Sequence, residues 1–267
     1  MNKTDKAPSE VWKSYWKSVY VKKARLTTRL TTYQIPVSLF LKKIIRKEDF
    51  LFILSAGSGQ DIISMNLQKY FKNKLHISIL DISEDVLMWN RRLFSKYNLN
   101  AEFIKGDIFR MPFGNDSFDL VFNTGVLEHF NKKEQVEMTK EIIRTLKPRG
   151  YFVTANPSNM GKIYKLGIKA AKEKGYWVFG KEIPIVSLKF LKEEISGIDF
   201  VKEYHKDVLS QLGFLSYVSA FYKIITFPII FSVRLLYCFQ SIPHLLDFLF
   251  SRIIGTYLII SVIKKSA

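Results

Sequence analysis

The sequence predicts an α/β fold: a doubly wound, mostly parallel sheet with helices on both faces. Three observations lead there. Between Phe50 and Asn156, short apolar runs alternate with helix-length amphipathic segments, the order that parallel crossover connections produce. The first run, Phe50 to Ala56, gives way abruptly to Gly57-Ser58-Gly59. That is how a buried parallel strand ends in a tight turn where backbone meets a ligand without Cβ interference. A second run, Leu75 to Leu80, ends in Asp81, a spacing that suits a nucleotide fold with an acidic residue on ribose hydroxyls.

Taken in order, residues 8–47 read as helix with polar interruptions. Pro8-Ser9-Glu10 gives the start signal, and Trp12, Tyr15, Trp16, Val19 and Tyr20 recur at helical spacing. Strands are expected near 50–55, 75–80, 101–104, 118–123 and 150–155, with helices near 59–71, 83–97 and 132–146. The last helix should stop at Lys147-Pro148-Arg149-Gly150, where Pro and Gly turn the chain. Beyond Asn156 the pattern predicts a helix and a covering loop over 157–186, then a helix from Ser187 to Glu194. A sixth strand is expected over Gly197–Tyr204 and a seventh over Gly255–Lys264, with Leu212-Gly213-Phe214 as a rival start for the sixth. Residues 206–254 form an apolar, aromatic insert of helical period, broken at Pro228 and Pro243. The domain reading is therefore an N-terminal helical segment (1–47), an α/β domain (48–205 and 255–267) and a helical insert (206–254) before the last strand.

Composition narrows the function. A chain of 267 residues that is 48% hydrophobic holds a full core. Forty-one basic against 24 acidic residues give +17, which favours polyanions, an anionic membrane surface or phosphorylated substrates, unless it is simply a solvated Lys-rich exterior. The single cysteine, Cys238, excludes an intrachain disulfide and fits a reducing compartment. Met1 to Trp16 lacks a secretory apolar region, and neither Ile224–Val233 nor Ile253–Ile263 approaches the ~20 residues a spanning helix needs. The expected location is cytoplasmic, with the membrane surface reachable through 206–254, whose flanking Lys223, Arg234 and Arg252 suit an interfacial element. Packing on its own domain, sealing a cavity and dimerising are the other roles open to the insert.

Further segments sharpen the reading. Gly106-Asp107-Ile108 follows the third run, then Met111-Pro112-Phe113, Asp116 to Asn123, Gly125-Val126-Leu127-Glu128-His129-Phe130, and Glu141 to Tyr151. In this order and spacing the chain resembles the class I S-adenosylmethionine-dependent methyltransferases of the small seven-stranded bacterial and archaeal type. The resemblance is close over roughly 48–160 and loose elsewhere. It implies a Rossmann-like sheet of seven strands, the last antiparallel, an S-adenosylmethionine cofactor and methyl transfer to a small or lipid-like acceptor.

The resemblance places Ala56, Gly57, Ser58 and Gly59 beneath the donor's amino acid and ribose, and Asp81 on the ribose diol. It sets Ile82 over the adenine, Asp107 on the adenine amino group with the Ile108 backbone as donor, and Asn123 and Thr124 at the methionine portion. Read without it, Asp107 is a turn residue and Asp81 a cap for the helix at Ser83. The first strand departs from the family pattern, with Ile53 where an acidic residue is usual and Ser55 where glycine is frequent. Asp61 either takes over that carboxylate's part or only complements the helix dipole. Glu128 and His129 are the acid–base candidates, His129 as a base near neutral pH or as a residue that only positions its loop. An aromatic face on Tyr15 and Tyr20 would suit a sulfonium, since the segment before the first strand commonly closes over the cofactor in this family. His76, His205 and His244 form no ligand set, so no catalytic metal is expected.

Two other classes share features. A nicotinamide-dependent dehydrogenase would use Gly-x-Gly and Asp81, but Ile62 stands where its third glycine belongs and Asp107 has no part in it. A non-catalytic methyltransferase-like scaffold, binding a partner or a membrane surface, draws support from Ile53 and Ser55. Nothing resembles an RNA-binding module, so nucleic acid is not an expected partner.

Overall fold

The computed structural model describes residues 29–31, 33–57, 59–177, 182–219 and 241–267, with scattered positions between 221 and 232. The aromatic stripe over 12–20 and Ser58 lie outside the described residues.

Seven strands form one sheet: β1 (Phe52–Ala56), β2 (His76–Asp81), β3 (Glu102–Lys105), β4 (Phe118–Thr124), β5 (Leu146–Pro157), β6 (Ile198–Lys206) and β7 (Leu258–Lys265). Their order is β3-β2-β1-β4-β5-β7-β6. Strands β1 to β5 pair in parallel, and β7 runs antiparallel to both β5 and β6. This is the predicted doubly wound, Rossmann-like sheet. The order reverses between β1 and β4, the topological switch point beside whose carboxyl ends ligands bind in open α/β sheets.

The helices are α1 (Gln34–Glu48), α2 (Ile62–Phe71), α3 (Glu84–Lys96), α4 (Lys132–Thr145), α5 (Lys162–Glu173), α6 (Leu191–Glu194), α7 (Leu215–Val218) and α8 (Ser241–Ile254). Strand alternation divides the core. Ile53, Phe122, Val153 and Ile260 point into one face with Val37, Leu41 and Ile45 of α1. Their neighbours Leu54, Val121, Phe152 and Ile259 point into the other with Met138 and Ile142 of α4. Central strands buried on both sides read as continuous apolar runs for this reason. Two helix starts are fixed locally. Asp61 caps α2 by accepting from the Ser64 N–H at 2.8 Å, and Asn131 and Glu134 form a reciprocal capping box on α4.

The structure corrects several element boundaries. Strand β5 begins at Leu146, directly at the end of α4, and Lys147-Pro148-Arg149-Gly150 lies within it; the turn is absorbed by Arg149 at φ +64°. The helix expected from Ser187 is the single turn α6. Leu212-Gly213-Phe214 belongs to a 3-10 turn over Ser210–Phe214, not to a strand. Pro243 lies within α8, near its first described residue, Ser241. Among the described residues no helix is long and apolar enough to cross a membrane.

Candidate functional site

At the carboxyl ends of β1, β2, β4 and β5 lies a cavity of about 670 Å³, within the ~300–1,000 Å³ usual for small-molecule sites. Its first wall is the turn after β1. Gly57 has φ +70° and donates its N–H to Leu80 O at 2.8 Å, which ties the turn to β2. A Cβ on Gly57 would stand 3.3 Å from Val126 Cγ2, so both the backbone angle and the space call for glycine. Gly59, at φ +53°, also lines the cavity.

Asp81 ends β2 beneath this turn and is only 6% exposed. Its Oδ2 accepts from the Gly59 N–H at 3.1 Å and its Oδ1 from the Ser83 N–H at 2.9 Å. Burial pushes its carboxyl up to about 6, against the pull of the Ser83, Gly59 and Ile82 amides and with a small push from Asp61. The carboxylate thus fastens the first turn and also lines the cavity.

Ile82, Asp107, Ile108 and Thr124 line the same space. Asp107 is exposed, and its Oδ1 accepts from the Phe109 N–H at 3.0 Å. It therefore shapes its own turn while lining the cavity. Ala56 and Asn123 are buried and sit behind the cavity wall rather than on it. Neither carboxamide atom of Asn123 has a hydrogen-bond partner among the described residues. Asp61 is not on the wall either. It is buried as the α2 cap, burial raises its carboxyl, and its own N–H donates to Asn90 Oδ1. The helix-dipole reading of Asp61 is the one the geometry supports.

Glu128 and His129 follow β4 in a 3-10 turn over Leu127–His129, and both face the cavity. Glu128 is 2% exposed. Burial first, and then the nearby Glu182 carboxylate, lift its carboxyl well above the ordinary range. Its Oε2 has no hydrogen-bond partner among the described residues. His129 Nε2 stands 3.9 Å from Glu128 Oε1, beyond hydrogen-bond reach.

Several cavity residues carried no signal in the sequence. Tyr164 on α5, Tyr257 before β7, Phe214 and Tyr33 interlock edge to face, with Tyr164–Tyr257 centroids 5.0 Å apart and Tyr164–Phe214 4.9 Å apart. Burial and Glu182 push the Tyr164 phenol far up. Glu182 joins them because the Ile183 N–H donates to Glu128 O at 2.7 Å, which ties that residue to the turn after β4. Gln211 holds the assembly together: its Oε1 accepts from the Ile163 and Tyr164 amides at the start of α5. Its Nε2 donates to Val208 O and Gly255 O. An aromatic at helical spacing or a lone Gln reads as ordinary core until the chain ends that it joins are known.

Residues 53–150 match the sequence profile of the methyltransferase domain family. Curated relatives match over stretches of similar length. An uncharacterized protein of Methanocaldococcus jannaschii is 36% identical over 117 residues, 44% of this chain and 45% of that protein. An uncharacterized methyltransferase of Schizosaccharomyces pombe is 30% identical over 120 residues, 43% of this chain and 42% of that protein. The match thus spans less than half the length of either relative. The fold likeness runs further. The plantazolicin methyltransferase BpumL, solved with S-adenosylhomocysteine, superposes with a TM-score of 0.57 at 14% identity, covering 98% of this chain and 95% of that one. Geranyl diphosphate C-methyltransferase of Streptomyces coelicolor gives 0.50 at 13% identity over 81% and 72%. The matched residues run from β1 through β4 to the start of β5, and the cavity extends past them to Tyr164, Glu182 and Tyr257.

Among the described residues no group of three or more His, Cys, Asp or Glu is placed to hold a metal ion.

Proposed function

We propose that the protein transfers a methyl group from S-adenosylmethionine to a small acceptor, lipid-like molecules included. The observation that carries this reading is the continuity of one cavity. It joins the Gly57–Gly59 turn, Asp81, Ile82, Asp107 and Ile108 at one end to Glu128, His129 and the tyrosines at the other. In this reading Asp81 accepts from the donor's ribose diol, and Ile82 and Ile108 flank the adenine. Asp107 takes the adenine amino group, and Thr124 meets the methionine portion. Ala56 and Asn123 act from behind, by setting the strand ends. The residues fit the cofactor because the Gly57–Gly59 turn, at positive φ, lines the same cavity as the Asp81 carboxylate. When bound, S-adenosylmethionine supplies an electrophilic methyl on a positively charged sulfur. The chain's part is to fix that methyl opposite the acceptor, exclude water, and receive the acceptor's proton at Glu128 or His129.

A calorimetric titration with S-adenosylhomocysteine, run beside NAD, tests this. The reading expects micromolar binding of the first, lost in Asp81→Ala, and none of the second. Binding of NAD alone would replace it with the dehydrogenase reading.

A second reading concerns location. Leu249, Phe250 and Ile253 of α8 are exposed beside Arg252, which supports peripheral contact of 206–254 with a membrane surface. Co-sedimentation with anionic vesicles should fall at least fivefold in Leu249→Glu/Ile253→Glu; equal sedimentation would remove it.

A further inference from the structure

The sheet order separates the two ends of the cavity. Asp81 and Asp107 follow β2 and β3 on one side of the switch point, whereas Glu128, Tyr164 and Tyr257 gather beside β4, β5 and β7. This second chamber is the acceptor's place if the donor reading holds, and its chemistry runs against that of the rest of the chain. The protein carries +17, yet Asp81, Asp107, Glu128, Glu134 and Glu182 line the cavity and no Lys or Arg does among the described lining residues. A pocket of one sign inside a protein of the other selects its ligand by charge.

Glu128 is the centre of the contrast. Its Oε2 is buried, has no hydrogen-bond partner among the described residues, and belongs to a side chain that faces the cavity. An unpaired buried carboxyl is costly unless a ligand completes it. The groups around it do not. Glu182 repels it, His129 Nε2 is too far at 3.9 Å, and Tyr164 and Tyr257 are neutral phenols whose own ionisation Glu128 and Glu182 oppose. Glu182 Oε2 is likewise buried without a hydrogen-bond partner among the described residues, but its surroundings differ. It also lines a small outer hollow with Lys165, Lys169 and Lys172, and Lys172 partly offsets its charge. The remaining walls are aromatic faces, which attract cations and apolar groups alike.

We propose that the acceptor is an amine, a basic nitrogen on an apolar body, with the nitrogen at Glu128 Oε2 and the body against Tyr164, Phe214 and Tyr257. This rests on the donor reading for its place in methyl transfer, though not for the binding itself. An anionic head group, which the basic surface alone would suggest, is repelled by the same carboxyls.

The step balances without another reactant. An ammonium bound against ionised Glu128 gives the carboxylate one proton and becomes a neutral amine. Its lone pair then attacks the methyl carbon, a C–N bond forms, the C–S bond breaks, and the sulfur keeps the electron pair as a thioether. The product leaves as the methylated ammonium, and Glu128 returns its proton to water. A carboxyl that burial and a neighbouring acid have made more basic than usual suits the first step.

The test is calorimetry on the full chain, with and without saturating S-adenosylhomocysteine, using one skeleton with three heads: 3,3-dimethylbutylamine, 3,3-dimethylbutan-1-ol and 3,3-dimethylbutanoate. The amine should bind at least tenfold more tightly than the alcohol, with the carboxylate weakest. Glu128→Gln should abolish the preference while leaving S-adenosylhomocysteine affinity within twofold, and Glu182→Gln should reduce it less. If Glu128→Gln fails to fold, Glu128→Asp should weaken the amine about fivefold. Equal binding of amine and alcohol by protein that binds S-adenosylhomocysteine overturns the amine chamber alone. Loss of S-adenosylhomocysteine binding in folded Glu128→Gln also overturns it, by assigning Glu128 to the donor. An amine preference in protein that binds no S-adenosylhomocysteine upholds the chamber and overturns the donor reading.

Discussion

The Asp81 carboxylate accepts the Gly59 N–H at 3.1 Å, so the acid that ends β2 holds the turn that ends β1. The same side chain faces the cavity. Removing it should therefore loosen the turn and cost the donor a charged hydrogen-bond partner, worth roughly 1.5–3 kcal/mol. Asp81→Asn is expected to weaken S-adenosylhomocysteine binding about 10- to 100-fold, read by calorimetry, with the far-UV circular dichroism unchanged.

The position of Asp81 near 6 sets a pH dependence. Donors from a ribose diol favour the ionised carboxylate, so the bound form holds its proton less tightly than the free form, and binding expels a proton below pH 6. Affinity should rise with pH, about tenfold per unit below 6, and level off above 7. Asp81→Asn should flatten that slope. Affinity that is level from pH 5 to 8 in the wild type would show that no ligand group meets this carboxylate.

Stability should run the other way in the unliganded protein. Asp61, Asp81, Glu128 and Glu182 are all raised by burial. Unfolded, such carboxyls titrate near ~4. Between that point and their folded values the native state holds more protons, so stability is greatest at the acidic end and falls as pH rises. For Asp81 the full cost above pH 6 is about 3 kcal/mol. The melting temperature is expected to be higher at pH 5 than at pH 8, and Glu128→Gln should narrow the difference.

Gln211 joins the start of α5 to the chain entering β7 through four hydrogen bonds. Gln211→Leu leaves buried amides and carbonyls without partners and should destabilise by about 2–4 kcal/mol. Because these bonds position Tyr164 and Tyr257, acceptor affinity should drop more than donor affinity. Chemical denaturation and paired titrations separate the two effects.

The α4 capping box gives a local stability test, although its Glu134 also lines the cavity. Asn131→Ala should cost about 1 kcal/mol, read by chemical denaturation.

What could be read from the sequence follows the range of the interactions. Gly57, Gly59, Asp81, Asp107 and Glu128 sit at strand ends within one stretch of chain, where strand-turn-helix patterning fixes their positions, and the structure brings them to one cavity. Tyr164, Glu182, Gln211 and Tyr257 meet only because β7 inserts between β5 and β6, a pairing between distant parts of the chain that local periodicity does not encode. Lys147 to Gly150 misled for a local reason, since Arg149 at φ +64° turns the chain without interrupting the strand. At the end of β4, Thr124 lines the cavity and Asn123 is buried behind it.

A crystal structure with S-adenosylhomocysteine bound is the most direct measurement of the central claim, that one cavity holds a donor at β1–β3 and an acceptor beside β4–β7. The account predicts the ribose hydroxyls within hydrogen-bond distance of Asp81 and the sulfur directed at Glu128 and Tyr164. A ligand whose ribose avoids Asp81, or whose sulfur points away from that chamber, would contradict it.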